Sequence, residues 1–287
     1  MIETTIKIPD SLSINPDKLN SVYQMLVGLP VSDRYVLDMN QVKFAHPYGV
    51  VGLVMASRIL SNRSRNPVVI KNLKKDIHQY FHRMDIFSVA KSWLQVSDQI
   101  DEEWLRNPST PNLLELTLIR DQNDILKIVT RTEEIFSRWL IVSNLRFLLT
   151  SVSELCTNML EHSQDSYGCI LIQKYALATL NQVKVCLAAG DLGIGIRGSL
   201  SNRFGSPELE PQYFLHKAME GSTARFTGRG GLGLRTVEKI AAENEGYLWI
   251  RSETASIMSR GERKRQEQVA LVNIPGTQVV FEFKSSN

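Results

Sequence analysis

Apolar and polar positions follow one rhythm in the first third of the chain and another in the rest. Strand-like apolar runs at Thr4–Ile8, Tyr35–Met39 and Val68–Ile70 alternate with helical stretches around Asp17–Val27, Tyr48–Leu60 and Ile77–Phe81. Strands separated by helices at such intervals predict a small α/β domain. The stretch from Ser97 to Asn112 is polar and carries Pro108 and Pro111, so it reads as a boundary. We expect one domain over residues 1–105 and a second over 106–287.

Past the boundary the pattern predicts a strand at Leu113–Ile119 and helices at Asp124–Trp139 and Asn144–Ser163. Strands follow at Cys169–Tyr175 and Gln182–Ala188, then a helix at Leu232–Asn244 with Gly246 as its C-terminal cap, and strands at Tyr247–Ser252 and Gln278–Phe283. The fold class is therefore mixed α/β in both parts. Of the 17 glycines, ten lie between Gly190 and Gly233, where backbone must bend sharply or approach something closely.

The helix from Asn144 carries Leu145, Leu148, Leu149, Val152, Leu155, Cys156 and Met159 on one face. Glu154, Asn158 and His162 step by four and form a stripe read as lying opposite that face. An ordinary solvated face explains such a stripe. So does a magnesium-bound triphosphate: a carboxylate polarises water or a hydroxyl, and a neutral amide oxygen suits a hard cation that keeps most of its waters. Asp191 ends the apolar strand Val183–Ala188, where a carboxylate is costly unless a donor binds it. An adenine amino group is such a donor, and Gly193 and Gly195 would let a flat base lie against the backbone. The alternative is a strand-end turn with Asp as turn former.

Two stretches match GxGxxG, Gly193–Gly198 and Gly228–Gly233. A dinucleotide site needs a helix opening directly from that turn. The residues after Gly198, with Pro207 and Pro211 close by, argue against such a helix, and no clean strand precedes Gly228. Glu210, the nearby ribose-binding candidate, falls with them. The second cluster instead opens the helix from Leu232, whose free N–H groups suit a phosphate.

The net charge is small: 33 basic minus 30 acidic residues gives +3, which argues for neither nucleic acid nor a membrane surface as partner. Charged residues at 22% and hydrophobic ones at 43% exclude wholesale disorder. Cys156, Cys169 and Cys186 sit in apolar runs with no CxxC spacing and read as small buried hydrophobes. No signal pattern or membrane-length apolar run is present, so a cytoplasmic protein is expected. The basic cluster Arg260–Arg265 is expected to be a solvated loop.

Taken together, the motifs of the second part resemble the GHKL, or Bergerat-fold, ATPases, which include gyrase, heat-shock chaperones, histidine kinases and anti-sigma-factor serine kinases. Glu154, Asn158 and His162 match the N box; Asp191, Gly193 and Gly195 the first glycine box. Gly228, Gly230, Gly231 and Gly233 match the second glycine box, and Pro275-Gly276-Thr277 the last motif. The resemblance implies a two-layer α/β sandwich that binds ATP and Mg2+. In it Glu154 is the general base, Asn158 the magnesium ligand, and Asp191 the adenine contact with Thr277 beside it; the second glycine box receives the phosphates. The segment from Ile196 to Thr227 would be the lid, with Arg203, Arg225 and Arg229 near phosphate or, more simply, in solvent. The N box looks most like that of anti-sigma-factor serine kinases, and no histidine-kinase phosphoacceptor motif lies upstream.

The first part is similar to STAS domains through Tyr35–Phe44 and the apolar helix after Gly49. Where that family has Asp-Ser-Ser-Gly, this chain reads His46-Pro47-Tyr48-Gly49, which favours a binding or dimerising role over phosphoregulation. The resemblance implies a signalling protein that hydrolyses ATP or transfers its γ-phosphate to a protein, or a nucleotide-gated interaction module with negligible turnover. The expected partner is a protein, with a STAS-like protein, a sigma or regulatory factor, and a second copy of the chain as candidates.

Overall fold

The computed structural model describes residues 2–13, 16–97, 110–177, 182–205, 208–222, 232–260 and 265–286, the side chains of 16–19, 232 and 286 excepted. Most of the expected boundary segment, and Gly228, Gly230, Gly231, Arg225 and Arg229, lie outside the described residues. Internal contacts divide the chain into two units, Met1–Thr110 and Pro111–Asn287.

The first unit is built from β1 (Glu3–Lys7), β2 (Ser11–Leu12), α1 (Pro16–Val27), β3 (Arg34–Asp38), β4 (Phe44–Ala45), α2 (Pro47–Ser64), β5 (Val68–Lys71), α3 (Lys75–Arg83), α4 (Ile86–Val89) and β6 (Leu94–Val96). Its sheet is parallel throughout, in the order β1-β3-β5-β6, and β2 pairs with β4 apart from it. Helix α2 starts cleanly because His46 accepts the Tyr48 N–H through Nδ1 at 3.3 Å and Pro47 stands at the first helical position. Gly49 lets that helix press on β2: a Cβ there would sit 2.2 Å from the Leu12 carbonyl oxygen. Tyr48 is only 1% exposed, so its hydroxyl offers nothing to a kinase.

The second unit comprises β7 (Leu113–Ile119), α5 (Gln122–Phe136), α6 (Val142–His162), β8 (Gly168–Leu177), β9 (Gln182–Gly190), α7 (Gly195–Phe204), α8 (Pro211–Met219), α9 (Leu232–Glu243), β10 (Tyr247–Glu253), β11 (Ala255–Ser259), β12 (Arg265–Gln268) and β13 (Ile274–Ser286). Its sheet is antiparallel, in the order β12-β11-β10-β13-β9-β8-β7. One face presents Ile170, Val185, Leu187, Leu248, Ile250 and Phe281 to Ile128 of α5, Leu148, Val152 and Leu155 of α6, and Val237 and Ile240 of α9. Each such side chain contributes roughly 1.5–3 kcal/mol when taken fully out of water. All three cysteines are free and buried, and burial pushes the Cys156 thiol up to about 12, so it stays a neutral packing group. Among the described residues no helix is long and apolar enough to cross a membrane.

Three expectations need correction. A helix does open from the first glycine turn: α7 places Ile196, Leu200 and Phe204 one turn apart, and they pack with Phe214 and Ala218 of α8. Pro211, read as a breaker, stands in the first turn of α8, where its missing N–H costs nothing. The dinucleotide reading still falls, now on topology, because β9 is antiparallel to both its neighbours and a dinucleotide site needs a parallel crossover. The lid segment is accordingly largely helical across its described part, with Arg203 on α7 beside the Phe204 ring at 5.2 Å. Residues 261–264 of the basic cluster lie outside the described residues, but at its end Arg265 belongs to β12 and grips both carboxylate oxygens of Glu238 at 2.8 Å.

The third concerns Gly246. The left-handed residue that ends α9 is Glu245, at φ 50°, and the Gly246 N–H reaches back to the Ala241 carbonyl at 2.8 Å. Gly246 is needed for a different reason: a Cβ there would stand 1.8 Å from the Glu282 carbonyl oxygen of β13. Gly246→Ala should therefore force the α9–β10 turn off the sheet and lower stability by about 1–3 kcal/mol. The check is the urea midpoint, and a midpoint equal to that of the unsubstituted chain would show that the turn has room to spare.

Candidate nucleotide site

The site begins with the end of α6. Ser163, 6% exposed, donates through Oγ to the Met159 carbonyl at 2.5 Å and accepts the Asp165 N–H at 3.0 Å. The helix thus stops in a fixed turn rather than fraying. That turn holds the next loop from two sides. The Ser163 carbonyl accepts the Ile194 N–H, and the Asp165 carboxylate accepts the Leu192 N–H, both at 2.7 Å. Between them lies Gly193, where a Cβ would be 1.9 Å from the Ser163 carbonyl oxygen.

Asp191 stands at the end of β9 and is 3% exposed. Its N–H donates to the Thr277 carbonyl at 3.0 Å, and its Oδ1 accepts the Gly193 N–H at 2.9 Å. The carboxylate is thereby held in one orientation by the loop it begins. On the β13 side, Gly276 at φ 82° sits where a Cβ would meet the Asp191 carbonyl at 2.0 Å. Gly195, at φ 69°, opens α7 in a conformation L side chains rarely adopt. Ser252, 1% exposed, joins these pieces: its Oγ accepts the Ile196 N–H at 2.9 Å and donates to the Gly276 carbonyl at 3.2 Å. The β10–β13 pairing shifts register between Ser252 and Glu253, a bulge just beyond Thr277, while the β13–β9 register sets Thr277 beside Asp191.

These elements enclose a cavity of about 440 Å3. Glu154, Asn158 and His162 line it from α6, Asp191 and Gly195 from the first glycine turn, Gly233 from α9, and Thr277 from β13. The α6 stripe is therefore half-buried and faces the cavity beside Leu155 and Met159, rather than lying opposite the apolar face in bulk solvent. Gly233 is where α9 admits the stripe, since a Cβ there would be 2.5 Å from Glu154 Oε2. Gly193 shapes the turn without lining the cavity, and His162 stands 4.0 Å from the Glu161 carboxylate. Gly228, Gly230 and Gly231, expected to complete the second glycine box, lie outside the described residues.

The lining suits a purine nucleotide. The cavity falls in the ~300–1,000 Å3 range of small-molecule sites. Leu155, Met159, Ile196, Leu200, Leu234 and Val279 give it apolar walls, and Ser199 and Ser222 add hydroxyls. Glu154 and Asp191 bring two carboxylates, and no Lys or Arg lines it among the described residues. A triphosphate entering such a site needs positive charge from a divalent cation, the end of α9, or residues outside the described ones. The sequence pattern does not single out Ser163, Asp165 and Ser252 as supports. Nothing in local sequence marks them, because each acts on residues that are distant along the chain or in another element.

The sequence matches the family described as histidine kinase-, DNA gyrase B-, and HSP90-like ATPase over residues 143–287, which spans α6 to the end of β13. A search among curated proteins returns no match. The match, the antiparallel sheet under α6 and α9, and a cavity framed by both helices agree: the chain belongs to the family of histidine kinase-, DNA gyrase B- and HSP90-like ATPases, and its second unit carries the ATP-binding domain.

Proposed function

We propose that the second unit turns over ATP bound with Mg2+, releasing phosphate or passing the γ-phosphoryl group to a protein, in the manner of anti-sigma-factor serine kinases. The observation that carries this reading is that Glu154 shares one cavity with Asp191. A carboxylate with no Lys or Arg in the described lining of its cavity is a candidate to take a proton and is a poor group for binding phosphate. In this reading Asp191 receives the adenine amino group, with its orientation held by Gly193, and Thr277 stands next to it through Asp191 or water. The apolar walls flank the base, and the first turn of α9 with its glycines faces the phosphates. Glu154 takes the proton of the attacking water or hydroxyl as its oxygen bonds to the γ-phosphorus and ADP leaves. Asn158 would hold Mg2+, with His162 at the rim; the bound ion supplies charge neutralisation for the phosphates.

The first unit acts in this proposal as a STAS-like binding module. The burial of Tyr48 supports that role over phosphoregulation, since the hydroxyl in the position of the usual serine is inaccessible. The whole is then a cytoplasmic signalling protein whose target is another protein, a STAS-like or sigma-type regulator among the candidates.

Incubation with γ-labelled ATP tests the central claim. Free or protein-bound label should appear with the unsubstituted chain and fall by roughly 10²–10⁴-fold in Glu154→Gln, while nucleotide affinity stays within a few-fold. Equal turnover in the two would remove Glu154 as base, and no label in either, with ATP still bound, would make the nucleotide a conformational gate. Asp191→Asn keeps an acceptor for Gly193 but loses the charge, so calorimetry should show ATP affinity weakened about tenfold or more. Unchanged affinity would refute the adenine contact. Saturating Mg-ATP at ~100-fold its Kd should add about 2.7 kcal/mol to stability. A melt unmoved by Mg-ATP but moved by ATP alone would take magnesium out of the site.

A further inference from the structure

Strand β1 lies at one edge of the parallel sheet of the first unit. The Ile2 carbonyl accepts the Arg34 N–H at 3.2 Å and the Ile8 N–H donates to the Asp38 carbonyl at 3.0 Å, with Glu3 in register with Arg34. The backbone groups of even-numbered residues therefore point at β3, and those of Glu3, Thr5 and Lys7 point away from it. Among the described residues none of those three makes a backbone hydrogen bond on the outer side. Natural edges are commonly blunted by proline, a bulge or a covering element. Within β1 there is no proline and the register with β3 is unbroken.

Glu3, Thr5 and Lys7 also carry the exposed side chains of the strand. Their order is self-complementary under a two-fold axis through Thr5. Antiparallel pairing of two copies sets Glu3 opposite Lys7 at both ends and Thr5 opposite Thr5, whereas in-register parallel pairing would oppose like charges. Opposite charges directly across a pair contribute about 0.2–1 kcal/mol, and like charges cost a similar amount. On that face Glu3 also pairs within its own sheet, with Arg34 at 3.8 Å and Lys71 at 3.5 Å. At the start of the strand Ile2 and Val31 are 64% and 81% exposed, an apolar end uncovered among the described residues. The Asp33 carboxylate takes the Ile2 N–H at 2.7 Å and so keeps that end beside the β3 approach. In the two-fold register the apolar end falls next to Pro9 of the other copy, where the missing N–H ends the pairing. A two-fold contact is closed, so it yields a dimer and not a filament.

We propose that a second copy of the chain pairs with the outer edge of β1, antiparallel and centred on Thr5, joining the two parallel sheets and bringing two ATPase units into one particle. This pairing is independent of the reading of the nucleotide site. Sedimentation velocity of the full chain should give twice the mass of one chain. Thr5→Pro should give the mass of one chain with unchanged ATP binding, because the N–H it deletes is unused within the unit. Thr5→Cys should cross-link between copies with a short bifunctional thiol reagent, since directly opposed Cβ atoms are about 5 Å apart and the three native thiols are buried. A single-chain mass for the unsubstituted protein, a Thr5→Pro chain that keeps the double mass, or the absence of a cross-link would each overturn the pairing. Should Thr5→Pro fail to fold, the cross-link decides alone.

Discussion

Backbone proximity without side chains governs the nucleotide cavity. The turn from Asp191 to Gly195 is wedged between the loop that ends α6 and the bulge of β13, and at Gly193 and Gly276 the neighbouring backbone comes so near that a Cβ would stand about 2 Å from a carbonyl oxygen. Hydrogen bonds then replace contacts that side chains would otherwise make. Ser163 and Asp165 hold the turn from one side, Ser252 from the other, and Asp191 bonds to its own loop through Gly193. Each of these polar groups is satisfied, which is what makes a buried carboxylate tolerable at the end of β9. Loosening any one of them would leave Asp191 buried in a less defined direction.

Charge sets the second condition. With Glu154 and Asp191 in the cavity and no basic residue among its described lining, positive charge for a triphosphate has to come from a cation, the end of α9, or residues outside the described ones. The two carboxylates are held differently: Asp191 takes the Gly193 N–H of its own loop, and Glu154 lies across the first turn of α9, close to where a Cβ at Gly233 would stand. Helices α7 and α8 add Ile196, Leu200 and Ala218 to the wall, so nucleotide and helices share one surface. A protein partner that touches α7 or α8 therefore has a physical route to the cavity.

How much of this was legible beforehand depended on whether a residue acts within its own element. The amphipathic face of α6, the strands β7, β8 and β9, and the stripe Glu154-Asn158-His162 follow from periodicities of two and 3.6. α7 does not show in the sequence although Ile196, Leu200 and Phe204 recur every fourth residue, because the glycines and prolines around them read as breakers. Pro211 is a helix starter by position and a helix breaker by reputation, and only position decides. β12, Arg-Gln-Glu-Gln, has no apolar alternation to read; it exists because β11 offers an open edge and Glu238 offers a partner for Arg265.

By itself the sequence determined the mixed α/β class, the order of four motifs and the residue types available for an ATP site, since those properties are local along the chain. Tertiary structure alone decided that four stretches meet around one cavity, that Gly246 is a glycine for close packing against β13 while Glu245 takes the left-handed position of the helix cap, and that Ser163, Asp165 and Ser252 hold the loop that carries Asp191. Contacts between residues 24 to 86 positions apart leave no trace in any local pattern. Their geometry exists only once the sheet has paired and the helices have closed over it.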